Sequence, residues 1–242
     1  MTILSDLQTI EQRLKTEGDT PQVRRTFWRT VGRIKRLDHN EVSEEIIVKT
    51  TAIRNHLFKQ EVVLSVRKGL AIFFFVYLVA LLGYLWVLIY FEATLDLFII
   101  LPMPIRIVVL NSILLTICIF VAYGSYPWGR YLGGLIARVD FEGFYRYSPG
   151  ELGLKIEYAS YLRTTQSRRK WVYGFPIIWV FGSLILLAPI TWILNPSGIW
   201  APSIIICLFG IFYVAIYYRK TGELYRFIRE LRISRKVKRR PN

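Results

Sequence analysis

The sequence is short of the residues that most chemistry needs. Among 242 residues there are two cysteines, Cys118 and Cys207, two histidines, His39 and His56, and two methionines. Both cysteines lie inside apolar blocks and neither has a C-x-x-C partner. A disulfide framework and a zinc knuckle are therefore excluded, and both read as small buried hydrophobes. The histidines have no second ligand at metal-binding spacing, so they read as surface or packing residues. No cofactor is expected. The start, MTILSDLQTIEQRLK, lacks the basic-then-apolar order of a secretory signal. Acidic residues are also scarce, 17 against 32 lysines and arginines, a formal charge of +15. G-x-S-x-G and the G-x-x-x-x-G-K-[ST] phosphate loop are both absent.

What is present is apolar sequence gathered in blocks. Gly69 to Phe91 carries no charge and is long enough to cross a hydrocarbon core of about 30 Å. A second block runs from Leu97 to Tyr123, broken near its start by Pro102 and Pro104, so its regular span is expected from Ile105. Arg106 then sits near an interface and snorkels. Two more spans are expected, Trp171 to Leu194 and Ile199 to Tyr218, joined by the turn Asn195-Pro196-Ser197-Gly198. Of the 32 basic residues, 13 precede residue 70, 8 fall between residues 124 and 170, and 10 follow residue 218. The intervening turns hold only Glu92 and Asp96 as charges. The positive-inside rule then places both termini and the central segment in the cytoplasm of a four-span cell-membrane protein. No acidic residue stands inside a span, so an ion-coupled transporter lacks its usual ligands. The lipid bilayer is the first partner. Nucleic acid is not expected, because no base-reading motif accompanies the charge.

The first 68 residues read as a cytosolic helical region. Ile3, Leu7, Ile10 and Leu14 make one helix face, with Ser5 and Gln8 as a capping box and Gly18 as the stop. A second helix is expected from Thr20 and Pro21, with Val23, Phe27, Val31 and Ile34 on one side. Arg24, Arg25, Arg29, Arg33, Lys35 and Arg36 line the rest. This face either lies on anionic lipid or packs on its neighbours. A third helix, capped by Asp38 and Glu41, is expected to run through Ile46, Ile53 and Leu57 directly into the membrane. The tail from residue 219 to 242 reads as a basic amphipathic extension with Leu224, Phe227, Ile228 and Leu231 as its stripe.

Residues 124–170 form a module between spans two and three. Pro127 to Val139 reads as helix, and Phe141 to Leu162 as a β-hairpin turning at Ser148-Pro149-Gly150. The fold class is thus an all-α integral membrane protein, four transmembrane helices with a small cytosolic helix-and-hairpin module. Glu142, Glu151 and Glu157 are expected to be solvated or paired with Arg138, Arg146 and Lys155 rather than catalytic.

This order of parts resembles the site-2 protease family of intramembrane zinc metallopeptidases. There, a span ends in H-E-x-x-H-x-x-x-A/G, followed by a short helix, a strand or hairpin, and a second core span after basic residues. The matching stretch is Tyr126-Pro127-Trp128-Gly129-Arg130-Tyr131-Leu132-Gly133-Gly134, within a resemblance covering about residues 105 to 218. The departures decide the chemistry. The zinc-binding histidines correspond to Tyr126 and Arg130, the catalytic glutamate to Pro127, and no aspartate follows Asp140 to serve as third ligand. The resemblance implies a scaffold without metal or peptidase activity. Its partner would be a protein bound by strand addition through Phe141, Phe144, Tyr145, Tyr147, Ile156 and Tyr158. The alternative is an enzyme or binding protein for anionic lipid headgroups, with Arg130, Arg138 and Arg146 as phosphate-seeking guanidiniums.

Overall fold

The computed structural model describes residues 2–37, 41–148, 151–217 and 222–238. It is mostly helical with one small sheet, and it divides into two units. A mixed unit comprises Met1–Val66, Gly134–Val172 and Phe227–Asn242. A helical unit comprises Arg67–Gly133 and Tyr173–Arg226.

The mixed unit begins with α1 (Ile3–Glu17) and α2 (Pro21–Ile34). The α1 cap is Thr2 rather than Ser5: Ser5 instead donates its own hydroxyl to the Thr2 carbonyl (2.8 Å). Gly18 ends α1 at φ 71°, a left-handed conformation that costs glycine little. Thr20 caps α2 with Pro21 in its first turn, as the sequence indicates. Leu7, Ile10 and Leu14 meet Val23, Phe27, Val31 and Ile34 in a core where all are buried. The apolar stripe of α2 is therefore consumed by packing and is not offered to lipid.

Helix α3 (Glu44–Leu57) packs on α1, and its cap is Ser43. Asp38, expected as that cap, lies outside the described residues. The helix does not run into the membrane. It stops at Phe58, and a three-residue strand β1 (Val62–Leu64) follows. β-Branched Val62 and Val63 suit extended backbone, and a partner is available. β1 pairs antiparallel with β2 (Phe141–Ser148), which pairs antiparallel with β3 (Glu151–Ile156), in the order β1-β2-β3. Gly143 makes this possible. It sits at a register break with φ 150°, and a Cβ there would lie 2.4 Å from Val62 Cγ1 and 2.6 Å from the Leu64 carbonyl oxygen.

The hairpin is thus shorter than expected at one end and has a third strand at the other. Tyr158 to Leu162 is not strand but helix α7 (Tyr158–Arg163), because the Glu157 carboxylate accepts from Ser160 N (2.8 Å) and caps it. α7 packs on α3, and the four-residue α8 (Gln166–Arg169) follows.

The helical unit contains α4 (Val66–Ile89, from its second residue), the short α5 (Phe91–Asp96), most of α6 (Met103–Ala137), most of α9 (Trp171–Leu194) and α10 (Ala201–Tyr217). Among the described residues, three stretches are long and apolar enough to cross a membrane: Val66–Ile89, Met103–Ala137 and Gln166–Leu194. α10 is apolar, with 17 described residues. The expected break between the second span and a module helix is absent, since α6 runs 35 residues through Pro127. Its glycines let neighbours close in: a Cβ on Gly124 would meet Tyr77 N at 2.7 Å, and one on Gly129 would meet Pro176 Cα at 2.9 Å. Tyr84, Leu110, Leu114, Cys118, Val121, Leu184 and Cys207 form the core. Large apolar side chains such as Val79, Leu82, Leu186 and Phe209 face outward. That pattern suits lipid on the outside, since in water such a surface would be a liability. Arg106 bonds the carbonyls of Ile99 and Leu101, fastening the turn before α6.

Candidate functional site: two buried ion clusters

The first cluster belongs to the helical unit. Tyr126 and Arg130 lie one turn apart on α6 and so share a face. Glu223, the first residue of α11 (Glu223–Lys238), meets both. Tyr126 donates to Glu223 Oε1 (2.7 Å), and Arg130 Nη1 donates to the same oxygen (2.6 Å) and to the Tyr126 hydroxyl oxygen (3.1 Å). The Arg130 and Arg226 guanidiniums lie 5.9 Å and 5.7 Å from the centre of the Tyr173 ring. Arg130 Nε and Glu223 Oε2 are buried without a hydrogen-bond partner among the described residues. Tyr126 and Arg130 thus converge on one carboxylate, and the guanidinium is neutralised by it.

The second cluster belongs to the mixed unit. Lys35 Nζ donates to Glu230 Oε1 (2.9 Å) and to the Tyr161 hydroxyl (3.0 Å). The Glu230 side chain is completely buried and that of Lys35 is 8% exposed. Arg169, also buried, donates Nε to the Thr164 carbonyl (2.7 Å) and Nη2 to the Leu162 carbonyl (2.9 Å), holding the end of α7. Its guanidinium lies 5.6 Å from the Tyr161 ring centre, and Lys35 Nζ lies 4.5 Å from it. Burial pushes the Lys35 ammonium down to about 8, aided by repulsion from Arg229 and Arg169, while Glu230 pulls the other way. Burial pushes Glu230 up, but Lys35, Tyr161 and Arg229 together outweigh it, so its carboxyl ends below the usual range. Glu230 Oε2 and Arg169 Nη1 have no hydrogen-bond partner among the described residues.

The residues expected to receive a partner are mostly core. Phe144, Ile156 and Tyr158 are buried, Phe141 is half-buried, and Tyr145 lies across Gly153, where a Cβ would meet its ring at 2.7 Å. The side chain of Tyr147 lies outside the described residues. An edge partner would therefore bind backbone rather than these side chains. β2 is not an available edge, because β1 and β3 flank it; β3 is an outer strand. Of the three guanidiniums assigned to headgroups, Arg130 belongs to the helical unit and is ion-paired. Arg138 and Arg146 belong to the mixed unit and are exposed, Arg138 in a left-handed conformation (φ 58°) just after α6. Lys155 pairs with Glu142 across the hairpin (2.6 Å).

Sequence reasoning missed Lys35, Arg169, Glu223 and Glu230. Two carried a signal. Lys35 lies one turn beyond Val31, in phase with the buried stripe of α2. Glu230 lies three residues beyond Phe227 and points inward with Ser234, whereas Ile228 of the expected stripe is 36% exposed. A charge in phase with an apolar stripe marks a buried pair awaiting its partner. Among the described residues no three His, Cys, Asp or Glu side chains are grouped so as to hold a metal. Comparison with protein-family models, curated proteins and solved structures gives no significant match.

Proposed function

We propose that this chain is a four-span membrane protein whose mixed unit is a cytoplasmic, non-catalytic interaction module. The charge distribution supports the orientation. α10 would be the fourth span; its 17 described residues rise about 26 Å. The observation that carries the non-catalytic reading is the Tyr126–Arg130–Glu223 cluster. Three groups that could otherwise serve a substrate or a metal hold one another. A part-buried guanidinium so placed repels a divalent cation. On this reading the resemblance to site-2 proteases is that of a degenerate scaffold, with Tyr126 and Arg130 in the histidine places and Pro127 in that of the glutamate.

The module's partner is a protein segment added along β3, the outer strand, where main-chain groups supply the affinity. Mild-detergent purification from native membranes, with zinc measured on the same sample, tests this. The expected result is a partner at fixed stoichiometry, no zinc, and loss of the partner on Leu152→Pro with the unit still folded. Zinc near one per chain, or a partner indifferent to Leu152→Pro, contradicts it. A second reading, anionic headgroup recognition, has one observation in its favour. Arg138 and Arg146 are exposed and make no ion pair among the described residues. Enrichment of one anionic lipid, lost on Arg138→Ala with Arg146→Ala, would favour it instead.

A further inference from the structure

Helix α2 and the segment between α3 and α4 carry apolar residues that the mixed unit does not cover. Trp28 is 43% exposed, Val62 43% and Val63 48%. Trp28 stacks at a tilt on Phe58, ring centres 5.5 Å apart, and the Arg24 guanidinium lies 5.3 Å from the Phe58 ring centre. Asp19 binds Arg24 through both carboxylate oxygens, so that charge is matched. Arg25, Arg29 and Lys59 are exposed and make no ion pair among the described residues.

Chain connectivity limits where this segment can lie. Val63 is three residues before Val66, where α4 starts. A trans chain spans at most about 3.6 Å per residue, so Val63 lies within roughly 11 Å of Val66. Arg67 and Lys68 in the first turn of α4 mark the headgroup level of a helix whose apolar run begins at Gly69. The interfacial layer is about 5–8 Å thick on each side of a bilayer. β1 cannot stray far from it. Tryptophan and phenylalanine beside arginine and lysine are the residues that settle in that layer.

We infer that the Trp28–Phe58 pair, flanked by Arg25, Arg29 and Lys59, and the exposed valines of β1, Val62 and Val63, dock on the anionic interface of the bilayer that α4 enters. This surface differs from the apolar stripe of α2, which is buried. The inference rests on the reading that α4 spans the bilayer.

The experiment uses the full chain in vesicles of phosphatidylcholine with phosphatidylglycerol, carrying a bimane label on Trp28→Cys, Val63→Cys or Val79→Cys. The native cysteines are buried, and the three labelled positions are exposed, so the folded core is untouched. Lipids brominated near the headgroup or deep in the chain, and aqueous iodide, are the quenchers. The expected result is quenching of Val79→Cys by deep bromine, and of Trp28→Cys and Val63→Cys by shallow bromine with little effect of iodide. The Trp28→Cys signal should lose its lipid quenching when phosphatidylglycerol is omitted or salt is raised. Iodide quenching at Trp28→Cys and Val63→Cys, with Val79→Cys still quenched by deep bromine, overturns the docking surface alone. Absence of lipid quenching at Val79→Cys overturns the spanning reading and the inference with it.

Discussion

Removing Lys35 or Glu230 alone should damage the mixed unit more than removing both. The pair is buried, with N–O 2.9 Å and side chains 8% and 0% exposed. Replacing one member leaves the other charge out of water with no counter-ion, a loss of about 3–5 kcal/mol. Replacing both with apolar residues of similar size removes the desolvation cost and the attraction together, so Lys35→Met with Glu230→Leu should be neutral or gain about 1–4 kcal/mol. A double-mutant cycle therefore gives a coupling of several kcal/mol, far outside the additivity of distant sites. Hydrogen exchange of the amides from Phe227 to Lys238, in the full chain in detergent at pH 7, reads the effect. A 3 kcal/mol loss corresponds to a rise of about 150-fold in the open fraction of that helix. Lys35→Met also isolates a pH effect. Burial pushes Lys35 down from an ordinary 10.5 to about 8 in the folded chain. Between those values the unfolded chain binds more protons, so this group makes stability rise with pH, and the rise should vanish in the single variant. Single variants that each cost under about 1 kcal/mol, or an additive double variant, would refute the reasoning.

The exposed carboxylates give a slope of the same sign in the acid range. Glu11, Glu17, Asp19 and Glu44 are held below their usual range by hydrogen-bonded lysine or arginine partners, and Glu230 also ends below it. Their contribution is present above about pH 4.5 and is lost as the pH falls through the depressed values, so acid unfolding followed by circular dichroism should steepen below pH 4 (roughly). Gly143→Ala should cost about 1–3 kcal/mol from backbone strain alone, with more from the contact with β1, and should release protection of Val62 to Leu64 in hydrogen exchange. Glu223→Gln should destabilise the helical unit more than Arg226→Gln, because it strands the part-buried Arg130 charge; thermal unfolding in detergent ranks the two. Gly124→Leu should weaken packing of α6 on α4, because a Cβ already meets Tyr77 backbone at 2.7 Å; a lower unfolding temperature is the measurement.

Apolar blocks and helix signals were legible in the sequence because each is a local property. The stripe of α1, the Thr20-Pro21 start of α2 and the Gly18 stop all rest on contacts within one turn. Some errors lie where distant chain decides, others where one local residue overrides the pattern. β1 is three residues long, and its pairing with β2 depends on Gly143, some 80 residues away. Tyr158 to Leu162 is rich in strand-forming aromatics, yet one Glu157 cap turns it into helix. Pro127 looked like a helix start but is accommodated inside α6. The ion clusters join residues about 100 to 200 positions apart, such as Lys35 and Glu230, and no local spacing names their partners. The aromatic hairpin reads as a docking surface for the same reason: composition does not tell a buried aromatic such as Phe144 from an exposed one.

The most direct measurement is labelling of single cysteines with an impermeant maleimide in intact cells, at Thr16, Glu92, Arg146 and Ser197. All four positions are exposed, and the native thiols are buried. The account predicts labelling of Glu92→Cys and Ser197→Cys in intact cells, and of Thr16→Cys and Arg146→Cys only after lysis. Protection of Ser197→Cys in intact cells, or labelling of Arg146→Cys there, would contradict a four-span protein with its mixed unit in the cytoplasm.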